Sequence, residues 1–537
     1  MKKINWKAIL IVVIWLLVIS LLIYSRFVNL GWGLPYPMHP DERNMAIAVQ
    51  NLNCSISNIK YQISNLKECF NPHFFAYGQL PLYLGYLLIG ILKGFKNFGN
   101  LVINFEEAMM SLRVISTLAS VINTIIIIKI INLITKKNSY FLSFIFFLLI
   151  MFSPYAIQFA HFGTTESFLM LFYSLIIYYC LLFTQKEIHN SKFIILSSLI
   201  SGLVVATKVS SIIFIAVPII AILSSLRSWD RYKNLIKFGL LTTIFIILFS
   251  PHNLINFHDF VSSIRYESDV ALGKILVFYT RQFVNTVPIL FQLTKVFPYA
   301  LGWPVWILGG LGILGLGWKD RKINLLRFAF LVYFIPSAFL FAKWSRFMAP
   351  VLPLMTVFAI VFLLRIRVIK IIKIIIIILA ILPGVAYLSV YQNSDVRFQA
   401  SEWIYKNIPE NAYILSETAN VVDIPITSQK SKVKSQNYQV ISFDFYDLDE
   451  SPELQSELKE HLEKADYIFV PSRRIFANHP KKKYPMLNQY YNDLFNGKLG
   501  FIKVAEFSAG LNDEQAEETW TVFDHPVIRI YKKVKTF

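Results

Sequence analysis

Charge is scarce in this chain and leans one way. Only 16% of its 537 residues are charged, with 52 lysines and arginines against 33 aspartates and glutamates, for a net charge of +19. Hydrophobic residues make up 55%, and the mean hydropathy is +0.52. So little charge excludes a soluble globular protein. Repeated apolar runs of roughly 17–25 residues, each able to cross a bilayer of about 30 Å, mark a polytopic membrane protein instead. The basic excess then gives no case for a nucleic-acid partner, because lysine and arginine gather in cytoplasmic loops as topology signals. Cysteine is scarcer still. Three residues cannot build a disulfide scaffold. Cys180 lies in an apolar run; Cys54 and Cys69 share a polar segment and are either a pair or two solvated thiols. Also missing are a P-loop, a dinucleotide-binding glycine pattern, a Ser-His-Asp signature and zinc-finger spacing. No small-x-small cleavage site follows the first apolar run, so Lys2, Lys3 and Lys7 before 8–24 predict an uncleaved signal anchor with a cytoplasmic N-terminus.

Apolar runs occupy 8–24, 80–95, 107–133, 139–160, 167–184, 193–207, 210–226, 236–250, 283–316, 324–342, 347–364 and 371–391. Basic clusters separate some of them: Lys129/Lys136/Lys137, Lys186/Lys192, Arg227/Arg231/Lys233/Lys237, Lys319/Arg321/Lys322/Arg327 and Arg365/Arg367/Lys370/Lys373. All fall on the cytoplasmic side only if one early run fails to cross. That run is 80–95, LPLYLGYLLIGILKGF, which is short, opens with Pro81, holds three glycines and ends near Lys93. It reads as a juxtamembrane or re-entrant helix. The predicted architecture is an α-helical membrane domain, 1–391, of about eleven transmembrane helices plus juxtamembrane helices. Residues 25–106 form its first extracytoplasmic loop. Residues 392–537 are charged and mix strand-like runs (AYILSET, QVISFDF, ADYIFVPS, VIRIYKK) with helical ones, which predicts a small extracytoplasmic α/β domain.

The chemistry-bearing residues gather at the predicted outer ends. HPDE at 39–42 sets Asp41 and Glu42 just beyond the first span. On local grounds Asp41 is a helix cap. In QFAHFGTTESF, Thr164 is the local cap candidate, Glu166 complements a helix dipole and His161 is structural. Lys208 interrupts a long apolar stretch, either as a snorkelling lysine or as a charge facing a polar cavity. Lys343 and Arg346 open a late span in KWSRFMAPVLP, where interfacial anchoring competes with phosphate binding. His252, His258, Asp259 and Glu267 in loop 251–297 are donors a divalent cation accepts, at a spacing that fits no dedicated metal motif.

Taken together, HPDE behind the first span, NPHFFAYGQLPLYLGY after it, about ten further spans and an extracytoplasmic tail resemble the GT-C class of membrane glycosyltransferases. The likeness is to the protein mannosyltransferase-like family (glycosyltransferase family 39), which is also similar to the lipid A aminoarabinose transferases. It covers about residues 1–390, and DVRFQASEWIYKNIP, YPMLNQYYNDLFNGKLGF and WTVFDHPVIRIYKK resemble tails of microbial members. It implies a GT-C fold in the plasma membrane and transfer of a sugar from a polyprenyl-phosphate carrier to a protein, lipid or glycan hydroxyl, with inversion. On that reading Asp41 is the general base, positioned with Glu42. Lys208, Lys343 and Arg346 face the carrier phosphate, and Glu166 and His161 belong to the substrate-binding set. Glu166 stands where the family usually has aspartate. The metal requirement stays open, because related enzymes differ in it. A transporter or flippase of lipid-linked saccharides, with charges at the bilayer midplane in two matching halves, is the rival from another class. A surface polysaccharide polymerase or ligase is the rival among enzymes.

Overall fold

The computed structural model describes residues 6–54, 67–136, 140–225, 228–418, 424–425 and 438–534. Lys2, Lys3, Lys137 and Arg227 of the basic series lie outside them. Among the described residues, six helices are long and apolar enough to cross a membrane, or eight if two bent pairs each count as one span. This is fewer than the eleven predicted spans: two runs break, and Ile11–Phe27 and Val209–Ser225 form shorter apolar helices. Ser143–Met151 and Pro154–His161 are bent by 57°, and Gln292–Leu301 and Trp303–Gly315 by 118° at Gly302, whose φ of 76° suits glycine.

Four helices set up the site. Helix α1 (Trp6–Phe27) leads into a turn, and α2 (Pro40–Asn51) follows. Helix α3 (Leu80–Leu92) is 13 residues long, about 20 Å at 1.5 Å per residue, and too short to span the bilayer. Its N-terminus sits against the C-terminal end of the 190–207 helix, where the Gly78 N–H donates to Thr207 O at 2.9 Å. A side chain at 78 would run into the Ala206 carbonyl, so glycine is required there. Helix α4 (Phe105–Thr135) begins with a capping box, Asn104 and Glu107 each satisfying the other's backbone N–H. Cys54 and Cys69 are joined as a disulfide that closes the polar segment.

The basic residues collect at the other end of the bundle. There Lys322 donates to Leu133 O at 2.7 Å, Arg365 pairs with Asp320 at 3.0 Å, and Lys129 lies over Tyr178.

The tail contains a five-stranded sheet in the order β2-β1-β3-β5-β4, made of β1 (Tyr413–Glu417), β2 (Gln439–Phe443), β3 (Tyr467–Val470), β4 (Phe501–Phe507) and β5 (Ile528–Lys533). The first three strands are parallel, and β5 runs antiparallel to β3 and β4. One stretch leaves this sheet. Ala516, Trp520, Val522 and Phe523 are buried in the same apolar core as the membrane helices. Asp524 anchors the stretch by accepting from Tyr387 at 2.8 Å, Tyr391 at 2.7 Å and His525 at 2.6 Å, while the other ring nitrogen of His525 meets Asp513 at 2.9 Å. Burial alone lowers the His525 pKa, but the two carboxylates outweigh it and hold the ring at about 10, charged at neutral pH. The tail is thus wedged into the helical domain and does not hang from it as a separate lobe.

Candidate active site

The acidic pair opens α2, and its two members do different work. His39, not Asp41, is the N-cap: its Nδ1 accepts from the Asp41 N–H at 3.2 Å, with Pro40 at the first helical position. That role needs an unprotonated nitrogen. Burial, then the charges of Arg346, Arg113 and Arg474, push the His39 pKa well down and keep it so. Capping is therefore not what Asp41 is there for, and its carboxylate is free to face outward from the helix start.

Glu42 points the opposite way and is wholly buried. Its two oxygens accept from Arg113 at 2.6 and 2.8 Å, and one also accepts the Gly163 N–H at 2.9 Å. The Nη1 of Arg113 donates to the Leu30 and Trp32 carbonyls. With both oxygens spent, Glu42 is not placed to touch a substrate. It fastens α2 to α4 and to the 161–166 turn, a placement for positioning α2 and not for contact with a substrate. Gly163 is required by the same knot, because a Cβ there would lie 2.9 Å from the Glu42 carboxylate and 2.8 Å from Leu112.

Asp41 forms an ion pair with Arg346, both of them partly exposed. Arg346 lies in the 3-10 turn Ser345–Val351, its guanidinium 4.8 Å from the Trp344 ring centroid and its Nε buried without a hydrogen-bond partner. Lys208 stands beside this turn. Its ammonium lies 5.2 Å from the Phe347 ring and 5.1 Å from that of Tyr77, within the fields of Glu166 and Glu267. Burial lowers its pKa, and the two carboxylates pull the other way. Glu166 is buried at the first turn of its helix, Thr165 donating to it at 3.4 Å, whereas Thr164 Oγ1 is buried without a partner and caps nothing. Asp41, Arg346, Lys208 and Glu166, spread over three hundred residues of chain, therefore meet at one end of the bundle.

Two expected members do not join them. His161 is fully buried, both ring nitrogens against carbonyls (Ile157 at 2.8 Å, Val28 at 2.9 Å), and stacks on Tyr391 at 3.7 Å. It ties helices together, and both ring nitrogens are spent on those carbonyls. Lys343 is also buried and turns back to donate to Phe341 O at 3.0 Å. It is not aimed at Arg346's partner. Among the described residues no group of three or more His, Cys, Asp or Glu converges as a metal site. His252 is taken by Asn256 and the Cys69 carbonyl, and His258 is exposed beside Asp259.

Sequence reasoning missed His39, Arg113 and Glu517. Arg113 had a signal, since it interrupts an apolar run as Lys208 does. His39 had a weaker one as neighbour of the acidic pair. Glu517 had none: it sits in a polar tail, yet its carboxylate accepts the Ser345 N–H at 2.9 Å.

Residues 97–255 match the family model described as dolichyl-phosphate-mannose-protein mannosyltransferase. No curated protein matches the chain. Among solved structures, the archaeal oligosaccharyltransferase AglB of Archaeoglobus fulgidus, in complex with an inhibitory peptide and a dolichol-phosphate, aligns with a TM-score of 0.50 at 12% identity, over 90% of this chain and 73% of its own. The same enzyme with zinc and sulfate gives 0.50 at 14% identity, over 89% and 71%. ArnT of Cupriavidus metallidurans, bound to undecaprenyl phosphate, aligns over 97% of both chains at 9% identity with a TM-score of 0.47. Identities this low speak for the fold alone. Over residues 97–255 the chain is thus similar to the dolichyl-phosphate-mannose-protein mannosyltransferases, and its fold is similar to that of a membrane oligosaccharyltransferase.

Proposed function

We propose that the protein transfers a sugar from a polyprenyl-phosphate carrier to an acceptor hydroxyl on the extracytoplasmic side of the plasma membrane, inverting the anomeric carbon. The observation that carries this reading is the Asp41–Arg346 ion pair at the bundle end where α2, the late 3-10 turn and the tail converge. A base and a phosphate-binding cation are the two groups such a transfer needs. The acceptor oxygen must lose a proton, and the departing phosphate is already a stable anion that asks for cations more than for an acid.

The pair also suggests an order of events. Without donor, Asp41 balances the Arg346 guanidinium. A carrier phosphate competes for Arg346, and the released carboxylate takes the acceptor proton. Lys208 adds a second cation beside the phosphate, and Glu166 lies close enough to contact sugar or acceptor. Glu42 holds α2 so that Asp41 is presented. The family match supports a lipid-phosphate donor, as do the dolichol-phosphate in the AglB complex and the sulfate in its zinc form. The outward placement is supported by the basic end opposite the site and by the Cys54–Cys69 disulfide, which belongs in an oxidising compartment. The acceptor is a protein, lipid or glycan.

A transporter would place its charges at mid-membrane, whereas Asp41, Arg346, Lys208 and Glu166 sit at one end of the bundle. Arg346→Ala is expected to raise the donor KM about 10- to 100-fold, the size of a lost charge-assisted phosphate contact of roughly 1.5–3 kcal/mol, while leaving the acceptor KM nearly unchanged. Steady-state kinetics with both substrates varied checks this, and an unchanged donor KM removes Arg346 from the phosphate site.

A further inference from the structure

From its polarity the tail would be assigned to the acceptor, yet one of its carboxylates is built into the other half of the site. Glu517 is 1% exposed. One of its oxygens accepts from Gln282 Nε2 at 2.9 Å and from the Thr519 N–H at 3.0 Å. The other accepts from Thr519 Oγ1 at 2.6 Å and from the Ser345 N–H at 2.9 Å. Its own N–H donates to Lys295 O at 2.8 Å. Three separate segments, around 282, 295 and 345, are thereby held by one residue. The neighbouring Glu518 fixes the tail in place through a buried pair with Arg474 at 2.8 and 3.0 Å.

The bond to Ser345 has a specific consequence. Ser345 opens the 3-10 turn, and the first N–H of such a turn has no acceptor within it. Glu517 supplies that acceptor, and the next residue is Arg346. Asp41 and Glu517 approach the Ser345–Arg346 step from different parts of the chain, one through the guanidinium and the other through the backbone. The Glu517 charge also acts on Arg346 directly. A carboxylate buried this deeply next to a required cation fixes both the direction and the charge balance of that cation.

We propose that Glu517 is a positioning residue of the donor site: by holding the Ser345 amide and balancing Arg346, it aims the guanidinium at the carrier phosphate. The tail then completes the phosphate-binding half of the enzyme. This rests on the reading of Arg346 as the phosphate ligand, so the test separates the two.

Glu517→Gln keeps the shape and removes the charge. It is expected to raise the donor KM at least tenfold while the acceptor KM stays close to wild type, with a lowered thermal midpoint because the new NH2 faces donors where an oxygen accepted from them. In the Arg346→Ala background the same change adds no further loss, because the group it positions is gone. Ser345→Pro deletes the donated N–H at a position where proline fits, the first residue of a turn preceded by extended backbone, and it reproduces the donor-KM effect with Glu517 intact. If Glu517→Gln folds poorly, Ser345→Pro decides the matter. Equal losses for donor and acceptor, or losses that multiply with Arg346→Ala, make Glu517 a mere structural tie and overturn the proposal. An unchanged donor KM in Glu517→Gln beside a raised one in Arg346→Ala overturns this inference alone. An unchanged donor KM in Arg346→Ala overturns the reading beneath it.

Discussion

Asp41→Asn is expected to lower turnover by about 10²- to 10⁴-fold, the usual contribution of a positioned general base. The change is isosteric, and the helix start survives because His39 provides the cap and Pro40 the first turn. Donor binding should not fall with turnover. On the proposed reading the carrier phosphate displaces Asp41 from the ion pair it makes with Arg346, so neutralising the carboxylate leaves the guanidinium to the phosphate. The donor KM should stay level or drop, and kcat carries the loss. Direct binding of a carrier phosphate and single-turnover transfer separate the two. If donor affinity is lost and turnover per bound donor kept, Asp41 is a binding group and not the base.

Loss of Glu42 should be felt in folding before it is felt in chemistry. Glu42→Ala leaves the Arg113 guanidinium buried with only the Leu30 and Trp32 carbonyls, and it strips the Gly163 N–H of its acceptor. Breaking a buried ion pair from one side costs about 3–5 kcal/mol, because the abandoned charge keeps its desolvation penalty without its partner. Thermal unfolding of the purified protein in detergent should show a large drop. Replacing both partners with methionine should recover much of it, since no charge is then left alone. A Glu42→Ala variant with the stability and turnover of wild type would mean that α2 is held by something else.

These contrasting expectations for adjacent carboxylates explain what the sequence could and could not disclose. The pair was visible because an acidic dipeptide behind a first span is out of place in so apolar a chain. Which member is buried and which meets Arg346 was not visible, because it depends on Arg113 and Arg346, 71 and about three hundred residues away. Local rules erred in a consistent way. They assigned caps to Asp41 and Thr164, where the structure uses His39 at one helix and leaves Thr164 unpartnered at the other. Span positions were legible from hydropathy, but the breaks at Pro154 and Gly302 were not, since neither residue alone forces a bend of 57° or 118°. The short helix α3 was legible from its length. The wedge 516–525 was the least legible part. Its sequence, AEETWTVFDH, lies in a tail whose charge predicts a separate domain, and it is buried in the helical core because each charged group finds a partner: Glu517 with Ser345, Glu518 with Arg474, and Asp524 with two tyrosines and His525.

The most direct test gives purified protein a panel of polyprenyl-phosphate sugars with candidate acceptors and follows both products. Free polyprenyl phosphate and inverted glycosylated acceptor should appear one for one with a single donor class, and both should vanish in Asp41→Asn. Donor turnover that proceeds unchanged without Asp41, or a panel from which no lipid-linked sugar is consumed, would contradict the account.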